Sequence, residues 1–383
     1  MQVDLYNLEP ALALMGVGLL VAGVPLAWFW HRHRQATPSQ RLKALTLLTL
    51  TLTFELVLVG AFTRLTDSGL GCPDWPGCYG SASPLGASEH ITAAQTAMPT
   101  GPVTHSKAWV EMVHRYMAMG VGVLIIALTV LTWLAWRRDH RQVVHPLWPA
   151  VTLLWVCLQG AFGALTVTMK LFPAIVTLHL LLAIGLLALL SVQAIRYEGW
   201  RSVAINPAQR WAVWAGLLLL VLQTALGGWV STNYAVLACT DFPTCQGQWW
   251  PPMNWEGFSL WRELGHRADG QPLPFAALAT IHYVHRCMAW LVLAVLLLLG
   301  WRLRAVPGLK KPAQLLLVLC LLQFLTGLSN VVLGWPLVAA VLHTGGASAL
   351  VVTLVWMLSL SRAESFVVAS SGRHCAESSS PVA

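Results

Sequence analysis

Nine separate apolar stretches of about 20 residues, each long enough to cross a bilayer as a helix, constrain this chain more than any other feature. They lie near residues 11–30, 43–63, 109–135, 147–168, 174–195, 209–231, 276–300, 313–334 and 337–360. In hydrocarbon every backbone N–H and C=O must find a partner inside the protein. A helix does this alone and an open strand cannot. The predicted fold class is therefore an all-α polytopic membrane protein. Composition points the same way: 57% of residues are hydrophobic and 10% charged, where a soluble chain carries about 25% charged residues. A soluble enzyme, a nucleic-acid-binding protein and a disordered chain are excluded.

The net charge of +8 reports topology here rather than a nucleic-acid partner. Segments 31–43, 136–146, 196–210 and 301–312 hold most Lys and Arg, among them Arg32, Arg34, Arg137, Arg141, Arg201, Arg302 and Lys310. The opposite loops hold only Arg64, Lys107, Lys170, Arg262 and Arg267, although two of them are long. The basic segments are thus expected in the cytoplasm, and the long loops 64–108 and 232–275 outside. The first span lacks a basic segment before it and has His31-Arg32-His33-Arg34 after it. That is the order of a retained helix rather than a cleaved signal. The polar tail from Ser361 is expected to be cytoplasmic and disordered.

The chain repeats itself. GAFTRLTDSGLGCPDWPGC (60–78) aligns without gaps to GGWVSTNYAVLACTDFPTC (227–245), an offset of 167. WVEMVHRYMA (109–118) aligns to TIHYVHRCMA (280–289), an offset of 171. Gln159 and His179 recur as Gln323 and His343, an offset of 164. Two pseudo-symmetric four-helix bundles follow, related by a pseudo-two-fold along the membrane normal. The expected division is 1–42, an additional N-terminal helix and cytoplasmic linker; 43–200, the first bundle; 201–360, the second; and 361–383, the tail.

Of 13 histidines, His114, His179, His285 and His343 lie inside spans, with His282 near a helix start. An ionisable side chain at membrane depth is costly and marks function by default, though a single one is more often a core histidine bonded across helices. Each bundle places two imidazoles on separate helices at similar depth, which suits two axial ligands on a flat iron macrocycle. Zinc would want three or four converging ligands, and a proton relay would want carboxylates spread through the membrane. Gly120, Gly122, Gly345 and Gly346 fit either close approach of such a group or ordinary helix packing.

The repeat breaks at one position. Glu111 precedes His114 by three residues, and His282 precedes His285 by three. Residues three apart share a helix face, so Glu111 projects toward whatever His114 holds, where it can accept a proton. Alternatively it is an interfacial glutamate paired with Lys107. Arg115 and Arg286 follow their histidines and suit either haem propionates or outer headgroups. Cys72 with Cys78, and Cys239 with Cys245, share one spacing in the two outer loops, where local disulfides can form. Their role is loop stiffening or redox relay.

These motifs, with LQGAFGALTV (158–167) and TLHLLLA (177–183), resemble the haem A synthase family over residues 43–360. The resemblance implies an oxidoreductase that converts the methyl group of haem O to the formyl group of haem A for cytochrome oxidases, by successive hydroxylations with oxygen from water. It implies His114 and His179 as ligands of the substrate haem, His285 and His343 as ligands of a haem B cofactor, Glu111 as the essential carboxylate, and disulfides Cys72–Cys78 and Cys239–Cys245. It further implies the bacterial inner membrane with the cysteine loops periplasmic, a haem O synthase (protohaem farnesyltransferase) as partner, membrane lipid around the chain and an unidentified electron acceptor. A homo-oligomer stays open, and residues 11–30 depart from the family's eight helices. The competing readings are a di-haem b-type cytochrome that only transfers electrons, which would want equivalent halves, and a two-repeat transporter.

Overall fold

The computed structural model describes residues 9–139, 144–198 and 202–363. Arg141, Arg201, Cys375 and the tail beyond Ala363 lie outside the described residues. The helices are α1 (Glu9–Arg32), α2 (Pro38–Leu65), α3 (Ser88–Ala97), α4 (His105–Arg138), α5 (Leu147–Thr168), α6 (Pro173–Glu198), α7 (Pro207–Thr232), α8 (Phe275–Leu303), α9 (Lys310–Val332) and α10 (Leu337–Leu360). All but α3 are long and apolar enough to span a bilayer, nine among the described residues. The chain is an all-α polytopic membrane protein.

Local sequence explains where the helices begin. Thr37 and Gln40 close a capping box around the start of α2, with Pro38 at the first helical position, and Asn206, Gln209 and Pro207 repeat that device at α7. Polar residues inside α2 satisfy themselves: the Thr46, Thr49 and Thr53 hydroxyls donate to the carbonyls four residues earlier. Sequence patterning misses α3, a short helix inside the first outer loop whose single buried residue is Ile91. It also misses a two-stranded parallel pairing of Val203–Ile205 with Ser361–Ala363. The start of the tail is therefore ordered rather than disordered, because its backbone finds a strand partner.

The helices α2, α4, α5 and α6 pack together, as do α7, α8, α9 and α10, and α6 and α10 meet across the middle along with α2·α10 and α6·α7. A pseudo-two-fold running between α6 and α10 produces that set of pairs. Residues on such an axis must meet their own counterparts. Arg64 donates to the carbonyl of Ser231, 167 positions on, and the Tyr234 hydroxyl donates to Asp67, again 167 positions away. The Arg64 guanidinium also lies 4.1 Å from the centre of the Tyr234 ring. Helix α1 stands outside this arrangement and packs on α4, where a Cβ at Gly18 would meet Met119 and one at Gly120 would meet Val21.

Helix α5 supports α6, which carries His179. The Trp155 indole donates to the carbonyl of Leu182 at 2.7 Å, and a Cβ at Gly185 would sit 2.5 Å from the Trp155 ring. Gly185→Ala is expected to destabilise the protein by about 1–3 kcal/mol, the usual cost of overpacking. Gly122→Ala, which meets nothing within 4 Å, is expected to be neutral. Thermal unfolding in detergent compares the two.

Candidate functional site

Turn geometry sets two of the four histidines. Lys170 and Leu171 adopt φ of 49° and 59°, and their counterparts Gly334 and Trp335 adopt 65° and 68°. Each turn starts a helix that carries its histidine six positions in: His179 after Pro173 and His343 after Leu337. Of the other two, His114 lies deeper than sequence patterning suggests, because α4 starts at His105 rather than near 109, while His285 lies about where that patterning puts it. His114 is nine positions after His105, and His285 is ten after Phe275.

The structure brings the four together in two pairs. His114 and His179 lie close enough for their charges to interact, as do His285 and His343. Each ring faces a glycine on a neighbouring helix. A Cβ at Gly60 would lie 3.1 Å from His114 Nε2. One at Gly163, Gly227 or Gly327 would lie 3.2, 3.0 or 2.9 Å from Cε1 of His179, His285 or His343. At each of these positions only glycine lets the neighbouring helix come this close to the ring. They are not the glycines that sequence singled out: Gly120 packs against α1, Gly122 touches nothing, Gly345 packs against Leu58 and Gly346 against Gln323.

Glutamines surround the rings. Gln159 Nε2 lies 3.4 Å from His179 Nε2, Gln323 Nε2 3.4 Å from His343 Nε2, and Gln223 Nε2 3.0 Å from His285 Nδ1. The Oε1 atoms of all three are buried without a partner, as is His179 Nδ1. Orphaned polar atoms beside buried imidazoles are what a site made for a further group leaves behind. Among the described residues no three His, Cys, Asp or Glu side chains converge. The donors come in twos, the number that axial ligation of haem uses. The residues fit that group.

The outer loops close over the site in two matched copies. Cys72 and Cys78 are disulfide-bonded, as are Cys239 and Cys245. Asp74 accepts the N–H groups of Tyr79 (2.6 Å) and Gly80 (2.7 Å), and Asp241 those of Gln246 (2.8 Å) and Gly247 (3.0 Å). The Thr244 hydroxyl, then these loop N–H groups, hold the Asp241 carboxyl below its ordinary range. Arg115 Nη1 donates to the carbonyls of Asp74, Pro76 and Gly77, and Arg286 Nη2 to those of Asp241 and Pro243. The arginines thereby tie loop to helix. Sequence reasoning missed this because the partners are backbone atoms.

The copies differ beneath the disulfides. Glu111 is 4% exposed; its Oε2 accepts the Cys72 N–H at 2.8 Å and its Oε1 accepts from Arg115 Nη2 at 2.5 Å. Lys107 pairs instead with Asp67, at 3.4 Å. In the second copy the Cys239 N–H lies 3.3 Å from His282 Nδ1, and Arg286 Nη1 is a buried donor without a partner.

A family model described as "Cytochrome oxidase assembly protein" (COX15-CtaA) matches residues 43–355. A protein of Shewanella oneidensis named "Heme A synthase" is 40% identical over 307 residues, covering 79% of this chain and 91% of that protein. Proteins of the same name from Halalkalibacterium halodurans (26% over 313 residues, 79% of this chain and 91% of that protein) and Caulobacter vibrioides (28% over 322 residues, 78% and 89%) are also similar. The matched stretch contains Glu111, the four histidines, both disulfides, Arg115, Arg286 and the three glutamines.

Arg115→Leu leaves the Glu111 carboxylate buried without its ion-pair partner. It is expected to cost about 3–5 kcal/mol, and adding Glu111→Gln should recover much of that. A double-mutant cycle on thermal unfolding measures the recovery.

Proposed function

The chain belongs to the COX15-CtaA family of cytochrome oxidase assembly proteins, and from that membership we propose how its site works. Its activity is that of an oxidoreductase on haem O, giving haem A. Electron transfer alone, as in a di-haem b-type cytochrome, is not favoured.

His114 and His179 hold the haem O substrate. His285 and His343 hold a haem B, which supplies a one-electron carrier beside the substrate. Glu111 is the catalytic carboxylate. Its place one turn from His114, buried against the Cys72 N–H and Arg115, while its counterpart is His282, is the observation that carries the reading. Each hydroxylation forms a C–O bond from water at the methyl carbon, removes an electron pair and releases protons. Glu111 receives a proton at that rim. After the second hydroxylation the geminal diol loses water to give the formyl group.

The Cys72 N–H and Arg115 aim the carboxylate, and the disulfide loop above it restricts access of bulk water. Arg286 Nη1, buried and unpartnered, is suited to a propionate. Arg115 can contact one only while sharing the donors that hold Glu111. The protein sits in the bacterial inner membrane, with the loops 64–108 and 232–275 on the periplasmic side. A haem O synthase delivers the substrate, an acceptor outside this chain removes the electrons, and a homo-oligomer is compatible with the site.

Co-expression with a haem O supplier, followed by extraction of the pigments, tests this. The unaltered chain should yield haem A. Glu111→Gln should keep bound haem and lower product by at least about a hundredfold, the lower end of what a positioned acid–base group contributes. His285→Ala should remove the low-spin spectrum of the second haem. Unimpaired haem A formation by Glu111→Gln would take Glu111 out of the mechanism.

A further inference from the structure

The two histidine pairs are alike on the edge that faces the glycines and unlike on the other. In the second half both Nδ1 atoms have a polar partner. Thr326 Oγ1 lies 3.0 Å from His343 Nδ1, and Gln223 Nε2 lies 3.0 Å from His285 Nδ1. Thr326 donates its own hydrogen to the Leu322 carbonyl at 2.8 Å. Its lone pairs therefore face the ring and accept an Nδ1–H. Gln223 Nε2 also donates to the His285 carbonyl at 3.2 Å, so its amide is held against both the ring and the backbone of His285. At His343 the proton therefore sits on Nδ1 and Nε2 keeps its lone pair, the tautomer an iron ligand needs, while Gln223 fixes the place of the His285 ring.

The first half lacks both devices. At an offset of 167 the counterpart of Gln223 is Leu56, and at 164 the counterpart of Thr326 is Phe162. His179 Nδ1 is buried with no partner. Gln159 and Gln323 occupy matched positions, each 3.4 Å from Nε2, so they do not make the difference. A hydrogen bond to the far nitrogen fixes the ring, raises its basicity and strengthens the metal bond; its loss costs about 10–100-fold in metal affinity.

We propose that Gln223 and Thr326 are positioning residues that make the second-half haem a permanent resident, and that Leu56 and Phe162 leave the first-half ligands free to release theirs. The inference rests on the reading that each histidine pair ligates a haem. It answers a need of the reaction: one haem must arrive and leave in every cycle while the other must stay. The apolar counterparts set that difference without changing the ligands themselves.

The experiment uses the full chain, purified with both haems. Apomyoglobin in excess serves as the acceptor for released haem, and electron paramagnetic resonance reports the low-spin centres. The double variant Gln223→Leu/Thr326→Val should release the second haem about tenfold faster or more, with an altered low-spin signal. Thr326→Ser, which keeps the acceptor, should behave as the unaltered chain. Conversely, Leu56→Gln should slow release of the first haem. Unchanged release and an unchanged signal in the double variant would overturn the proposal. Should the double variant fail to fold, Leu56→Gln decides: slower release supports the proposal and unchanged release overturns it. His285→Ala separates the two levels. If it keeps the second haem, the ligand reading itself fails. If it loses that haem while the double variant holds it, only the role of Gln223 and Thr326 fails.

Discussion

An imidazole buried in a lipid-embedded bundle must be given a partner, and the structure answers that requirement four times in one way. A histidine on one helix is pressed against a glycine on the next: Gly60 with His114, Gly163 with His179, Gly227 with His285 and Gly327 with His343. The glycines permit that close approach. Everything else in the bundles serves that placement. The turns at Lys170–Leu171 and Gly334–Trp335 start α6 and α10 at the same distance from their histidines. The axis contacts Arg64–Ser231 and Asp67–Tyr234 lock the halves at the end of the bundles that carries the two long loops.

The repeat supplies two equal scaffolds, and a few side chains make them unequal. The loops, disulfides, aspartate-bound turns and arginine ties correspond one to one. Against that constant background, the loop N–H at Cys72 meets a carboxylate and the one at Cys239 meets an imidazole. Desolvated groups are strongly felt by their neighbours. A change of one residue beneath the loop therefore puts a buried carboxylate under one loop and an imidazole under the other.

The arginines have partners that their position beside a histidine does not reveal. Position next to a histidine suggests a propionate contact. In place, Arg115 is occupied by Glu111 and three carbonyls, while Arg286 keeps one buried donor unspent. The ion pair expected for Glu111, with Lys107 one turn away, gives way to Arg115, four residues on along the helix, because Lys107 reaches Asp67.

Sequence by itself determined the membrane class, the nine spans, the repeat and the identity of Glu111 and the four histidines as unusual. Each of these rests on periodicity, spacing or the cost of a polar group in hydrocarbon, which are properties of the chain read locally. Tertiary structure alone decided which glycines face the rings, that Gln223 and Thr326 reach His285 and His343 while His179 Nδ1 has no partner, and that α3 and the Val203–Ile205 pairing exist. Those contacts join residues far apart along the chain, and backbone carbonyls and N–H groups, which every residue carries, leave no mark in the sequence when they become the partners.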